Sequence, residues 1–248
     1  MLMQKWTEAF ACWQRVKLFL SLCDAVIEME AKVTTIIFDG LISHKEISAF
    51  RGAIMKMFPN EEIYHNHGES GFVYGYPSIQ YKILNRKPAI VGICDGAESL
   101  ERHWKTGDRC SISIHDDVRA LTVSDISTSC FSLTKGEYSY SIRNWLPLNQ
   151  ENYKAYKAAE SLMEQVALLE RTLMGNMLSL YKGMGIWLEE ELKAKITEIS
   201  KTGTIMYKHN ELICFDICIR ANFPLPANCG LGKGASKGYG TITARQKQ

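Results

Sequence analysis

Two histidines one residue apart, His65-Asn66-His67, are the side chains of this sequence best suited to moving protons. Imidazole exchanges its proton near neutral pH, so a pair of rings can take a proton from one oxygen and return one to another. In an extended backbone alternate side chains share a face, and the spacing predicts that both rings reach one reacting group. RNA offers the matching oxygens: a deprotonated 2′-hydroxyl attacks the adjacent phosphate, and the departing 5′-oxygen needs a proton. That exchange requires no metal and no cofactor. H-x-H is equally the spacing of surface or zinc-binding histidines, and zinc would draw its further ligands from Glu61, Glu62 and Glu69. His44, His103, His115 and His209 stand alone and read as surface or core residues.

The second chemical signal is Gly230-Leu231-Gly232-Lys233-Gly234-Ala235-Ser236-Lys237-Gly238-Tyr239-Gly240. Its glycines admit backbone conformations closed to other residues and let an anionic strand approach the amides, while Lys233 and Lys237 add charge. From Ile219 onward the basic residues are Arg220, Lys233, Lys237, Arg245 and Lys247, with no acidic residue. A nucleotide-binding P-loop would need a glycine four residues before Gly-Lys-Ser/Thr, and a dinucleotide fingerprint would need a following helix. Neither is present, which leaves a phosphate-backbone loop or a flexible glycine tail. Tyr239 either stacks on a base or anchors the loop to the core.

The order of motifs carries more than either signal alone. Gly-Leu-Gly, five residues, then Gly-Tyr-Gly resembles the C-terminal glycine-rich loop of the RAMP proteins, above all the CRISPR-associated endonucleases that process precursor CRISPR RNA. Phe50-Arg51-Gly52-Ala53, Tyr64-His65-Asn66-His67, Tyr76-Pro77-Ser78-Ile79-Gln80-Tyr81-Lys82 and Ile90-Val91-Gly92-Ile93 resemble successive motifs of the b subtype of that family. So do Asn144-Trp145-Leu146-Pro147-Leu148-Asn149 and Gly175-Asn176-Met177-Leu178-Ser179, and the resemblance runs from about Ala31 to Ile242.

The resemblance implies a metal-independent endoribonuclease acting on CRISPR repeat RNA, with 2′,3′-cyclic phosphate and 5′-hydroxyl products. It implies His65 and His67 as the catalytic pair, without dividing acid from base. Tyr74 and Lys56 are secondary candidates, able to position the nucleophile or offset charge in the transition state, and each also reads as a packing aromatic or a solvated helix residue. The RNA-binding candidates are Gly230, Gly232, Lys233, Gly234, Lys237, Gly238 and Gly240, with Arg51 on the first helix and Lys82, Arg86 and Lys87 on a hairpin. A homodimer or other CRISPR-associated proteins are further partners in this reading. The rival is a non-catalytic RAMP subunit that binds CRISPR RNA within an effector complex, and a third reading is a metal-dependent enzyme of unrelated substrate.

These groups need a scaffold. Ala31 to Asp39 is β-branched and reads as a strand, after which Ser43-His44-Lys45-Glu46 is a capping box opening a helix to about Phe58. Ser78 to Leu84 and Ala89 to Cys94 read as strands joined by Asn85-Arg86-Lys87-Pro88, then a helix over Ala97 to Lys105 and a strand around Ser111 to Ile114. That β-α-β-β-α-β order is the ferredoxin-like unit, in which helices cover one sheet face and leave the other for ligands. A second, degraded unit follows: a strand over Tyr138 to Leu148, one long helix from Asn152 to about Lys182, then β-rich Lys193 to Ile199 and Thr204 to Ala221, the latter long enough to bend into two strands. The glycine loop stands where its second helix is missing. The expected fold is therefore α+β, two tandem ferredoxin-like units over residues 29–136 and 137–248, preceded by a helical extension over 1–28.

The chain has 248 residues, a net charge of +2 and a pI near 8.0, so a nucleic-acid surface must be a local patch. Its eight cysteines form no C-x-x-C pair and most sit among apolar neighbours, the pattern of free thiols in a reducing, cytoplasmic setting. Cys214 and Cys218 fall on one face of an apolar strand and read as core rather than metal ligands. Lys5, Glu8, Arg15, Lys17, Asp24 and Glu28 interrupt the apolar N-terminal segment, arguing against a membrane span or signal peptide and for an amphipathic helix. Met29 is a candidate start, the preceding residues then being an extension of the reading frame; a partner-binding helix is the other reading.

Overall fold

The computed structural model describes residues 30–65, 67–68, 71–72, 75–104, 110–114 and 117–245. The extension expected over residues 1–28 lies outside them. The first sheet is centred on β1 (Ala31–Phe38), whose β-branched run suits a strand buried on both faces. β4 (Ile79–Leu84), β5 (Lys87–Ile93), β1 and β8 (Val123–Phe131) lie side by side in that order, all antiparallel. Between β4 and β5, Asn85 and Arg86 take φ of 50° and 66°, the left-handed pair of a tight hairpin. α1 (Ile47–Met57) follows the Ser43/Glu46 capping box, where the Ser43 amide donates to Glu46 Oε2 at 2.8 Å. α1 and α3 (Asp95–Trp104) cover one face, closing a core in which Phe38 meets Phe50 and Trp104 edge-on.

The fourth strand is β8 and not the expected Ser111 to Ile114. That segment lies in β6 (Cys110–Ile114), which among the described residues pairs with β7 (Asp117–Leu121) in a separate two-stranded antiparallel sheet. β8 is long enough to pair with β1 from Ala31 to Phe38, whereas β6 spans only five residues. As an edge strand with mostly exposed side chains, Val-Ser-Asp-Ile-Ser-Thr-Ser-Cys-Phe carries little of the apolar signal that marks a strand.

The second sheet repeats the first. β9 (Tyr138–Trp145) is central, flanked by β11 (Asn210–Ala221) with β10 (Ala194–Tyr207) beyond it, and by β12 (Thr241–Ala244) on the other side. This is the strand order of the first unit, with the glycine loop in place of the second helix. β10 runs unbroken through the predicted gap after Ile199, absorbing it as register shifts, and the bend expected within Thr204 to Ala221 is the turn at Lys208 and His209, with φ of 48° and 64°. The long helix is two, α4 (Gln150–Ala158) and α5 (Leu162–Gly183). Ala159 turns extended, and Ser161 caps α5 by accepting the Glu164 amide at 3.2 Å. That Ser-x-x-Glu box was readable but hidden inside a continuous apolar period. α5 buries Leu169, Leu173, Met177 and Leu180 at helical spacing.

The uncovered face of the first sheet is not left free for ligands. Val33, Val91 and Ile93 on that face share one apolar core with Trp145, Leu173 and Ile217 of the second unit. The seam between the units runs along the edge of this shared core.

Candidate functional site

A groove of about 930 Å³ follows that seam. The first unit supplies Arg51 from α1, His65 from the short helix α2 (Glu62–His65), and Tyr76 to Ser78 ahead of β4. Facing them are Leu146 to Asn149 after β9, Asn176 of α5, and the hairpin tip Tyr207-Lys208. Residues Gly232 to Lys237 of the glycine loop, with Glu62 and Asp95, also line it. Of the charged side chains, Arg51, Lys208, Lys233 and Lys237 outnumber Glu62 and Asp95, so the groove favours an anionic strand.

His65 closes α2, and its Nε2 lies 3.2 Å from the Phe58 carbonyl oxygen. A carbonyl only accepts, so this contact assigns the ring hydrogen to Nε2 and leaves the lone pair of the neutral ring on Nδ1. Arg51 Nη2 donates to the His65 carbonyl at 2.9 Å, tying the end of α2 to α1. The two histidines do not share one extended strand as their spacing predicts. His65 is helical, while His67 opens the hairpin of β2 (His67–Gly68) and β3 (Gly71–Phe72). Tyr74 and the placement of the His67 side chain lie outside the described residues. Lys56 is exposed on the last turn of α1 and does not line the groove.

The glycine loop is a docked structure and not a loose tail. Gly240 has φ +62°, and a Cβ there would sit 1.9 Å from the Leu231 carbonyl oxygen, where the Leu231 amide also donates back to Gly240 O at 2.8 Å. On the first unit, Gln80 Oε1 accepts the Gly230 amide at 2.7 Å, the Tyr81 amide donates to Ser236 O at 3.1 Å, and the Tyr76 hydroxyl donates to Gly230 O. Tyr239 packs against His44 and Tyr207 at centroid distances of 4.8 and 5.5 Å, which makes it an anchor of the loop.

Lys82, expected on an exposed RNA-facing hairpin with Arg86 and Lys87, is instead wholly buried beneath this loop. Alternation along β4 turns Ile79 and Tyr81 toward the helices and Gln80 and Lys82 toward the second unit. The polar face that reads as solvated is the face the loop covers. Lys82 Nζ donates to Ala235 O at 2.8 Å and Tyr239 O at 3.4 Å, and a Cβ on Gly230 would stand 2.3 Å from it. On the hairpin itself, Lys87 pairs with Asp39 at 2.9 Å.

Burial pushes the Lys82 ammonium down to about 7 and the neighbouring Cys229 thiol up to about 12. A folded-state value below the unfolded 10.5 means the unfolded chain binds the extra proton between those limits, so stability rises with pH there and levels off below about 7. Replacing Lys82 by Met keeps the length without the titration. The difference in unfolding free energy between wild type and Lys82→Met is expected to shift toward the wild type from pH 7 to 10, by at most about 1.4 kcal/mol per pH unit. Parallel pH curves for the two proteins would show that Lys82 stays protonated.

Tyr207 and Lys208 were not singled out from sequence. Lys233 and Lys237 place their ammonium groups 5.9 and 6.0 Å from the Tyr207 ring centroid. Burial, then the positive charges of Arg51 and Lys208, lower the Lys237 ammonium, so this cluster gains from an anion beside it. The polar run Lys208-His209-Asn210 between apolar segments is the turn signal that would have revealed the tip. Among the described residues, no group of three or more His, Cys, Asp or Glu side chains is arranged to hold a metal, and no helix is long and apolar enough to cross a membrane.

Comparison with known proteins places this architecture. Residues 29–131 match the family model of the Cas6b N-terminal domain, and residues 132–245 match that of the Cas6b C-terminal domain. A crystal structure of Cas6b is similar at a TM-score of 0.80 and 30% identity, covering 87% of this chain and 100% of that one. A crystal structure of the CRISPR RNA processing endoribonuclease Cas6b gives 0.66 and 25%, with the same coverage. An uncharacterised protein of Methanocaldococcus jannaschii is 37% identical over 101 residues, which is 41% of this chain and 67% of that protein. With both domain models matched in order across its two ferredoxin-like units, the chain belongs to the Cas6b family.

Proposed function

We propose that this chain is a CRISPR RNA processing endoribonuclease that cuts repeat RNA by attack of a 2′-hydroxyl on the adjacent phosphate, without metal. The observation that carries the reading is the position of His65 in a groove lined by Arg51, Lys208, Lys233, Lys237 and the glycine loop. In this mechanism the RNA backbone lies along the seam, its phosphates against the basic side chains and its scissile linkage beside His65. His65, with Nδ1 unprotonated in the neutral ring, and His67 of the adjoining hairpin divide the two proton transfers between them. Arg51 holds the carbonyl end of α2 and so the orientation of His65, while the lysines offset charge developing on the phosphoryl oxygens. The products carry a 2′,3′-cyclic phosphate and a 5′-hydroxyl.

The test is incubation of the purified protein with the repeat RNA encoded beside its gene in excess chelator, followed by analysis of the product ends. Cleavage at one position with a cyclic phosphate on the upstream fragment is the expected result. RNA that is bound but never cut would identify a non-catalytic subunit, and cleavage only with added metal would identify a water-activating enzyme. The loop lysines make a separate expectation for binding. Lys233→Ala with Lys237→Ala weakens RNA affinity and, if two phosphate contacts are lost, lowers the salt slope by roughly 1.4. An unchanged affinity and slope in the folded double variant would remove the loop from the interface.

A further inference from the structure

A second groove of about 680 Å³ meets the first at Tyr207, Lys208 and Lys237, which line both. Its other walls are His44, Lys45, Ile47 and Ser48 at the start of α1, Asn144 at the end of β9, Ile205 and Met206 of β10, and Tyr239. His65 and its neighbours take no part in it. The volume falls within the range of about 300–1,000 Å³ usual for ligand sites.

Three features of the lining fit one kind of occupant. Its charged groups are all basic, Lys45, Lys208 and Lys237, with no carboxylate among the described residues that line it. Its apolar part, Ile47, Ile205 and Met206, joins the rings of Tyr207 and Tyr239, and Met206 is left 69% exposed. His44 contributes a buried Nε2 with no hydrogen-bond partner among the described residues, although the ring is held against Tyr239. A buried nitrogen left unpaired is costly, and a polar group arriving in the groove would offset that cost. A flat apolar surface beside a cationic rim and an unpaired imidazole nitrogen is what a nucleotide needs, as base, phosphate and base edge respectively.

We propose that this groove is a second subsite for the same RNA strand, holding a nucleotide on one side of the cleaved linkage. The strand leaves the His65 groove across Lys237 and Tyr207, sets its next phosphate by Lys45 and Lys208, and lays a base on the wall formed by Met206 and Ile205. The inference rests on the RNA-cleaving reading of the first groove and adds to it a source of sequence or length preference beyond the reacting phosphate.

The experiment compares uncleavable RNAs, each 2′-deoxy at the cut. One is confined to a few nucleotides around the cut, and two others are extended on the 5′ or the 3′ side by about four nucleotides, a span typical of single-strand sites. The variant is Lys45→Ala with Met206→Ala, both exposed and outside the His65 groove. Affinity for one of the extended RNAs is expected to fall about three- to tenfold, with a salt slope smaller by roughly 0.7, while the short RNA binds both proteins equally. The single-turnover rate at saturating RNA is unchanged in this variant. Equal losses on short and extended RNAs, or no loss on either extension, would overturn the subsite. Failure of the wild-type protein to bind any of the RNAs would overturn the RNA reading itself.

Discussion

Replacing either His65 or His67 by alanine is expected to slow single-turnover cleavage by about two to four orders of magnitude while RNA binding persists. The size follows from the chemistry assigned to them. A positioned acid or base contributes that factor by itself, and the basic lining of the groove remains to hold the RNA. The geometry separates a chemical from a structural loss at His65. Its Nε2 contact with Phe58 O is one hydrogen bond to a neighbouring turn, and its backbone stays tied by Arg51 whatever the side chain. His65→Ala therefore keeps α2 in place, and its thermal stability is expected to stay close to wild type. His65→Asn, which retains a polar side chain but no titrating ring, should fall with the alanine variant in rate. Wild-type rates in both alanine variants would take the pair out of the mechanism. A loss of rate that tracks a loss of folded protein would make His65 structural.

Much of this fold was legible because local signals and tertiary demands agree. β1 is β-branched and buried, the Ser43/Glu46 box caps the turn that leads into α1, and two tight turns join their strands with left-handed residues. The misreadings have one physical origin, which is that a side chain's polarity does not reveal what covers it. β8 is polar because it is an edge strand, so in the sequence the shorter β6 carries the signal of a closing strand. Lys82 is polar and alternates with apolar residues, yet it lies under the glycine loop because its partners are backbone carbonyls from a segment some 150 residues later. Sequence periodicity carries no trace of such a pairing.

The site shows the same division. The H-x-H spacing picks out the groups proposed to transfer protons, and the glycine spacing picks out a loop that lines the same groove as His65. Neither discloses that α2 makes His65 helical, or that the β10–β11 tip brings Tyr207 and Lys208 to the groove. Those positions depend on how the second unit seats against the first through the shared core of Val33, Val91, Trp145 and Leu173. A surface shared by two units is a property of their packing, and only its separate pieces are written in local sequence.

The nucleophile decides between this mechanism and every enzyme that activates water. If imidazoles deprotonate the ribose oxygen itself, the oxygen cannot be supplied from solvent, and no cation is needed to generate hydroxide. The most direct measurement is cleavage of repeat RNA carrying a single 2′-deoxy substitution immediately upstream of the scissile phosphate, in excess chelator, beside the all-ribose RNA. The account predicts that the ribose RNA is cut and that the deoxy RNA binds with nearly the same affinity and is not cut at all. Cleavage of the deoxy RNA at the same linkage would contradict it.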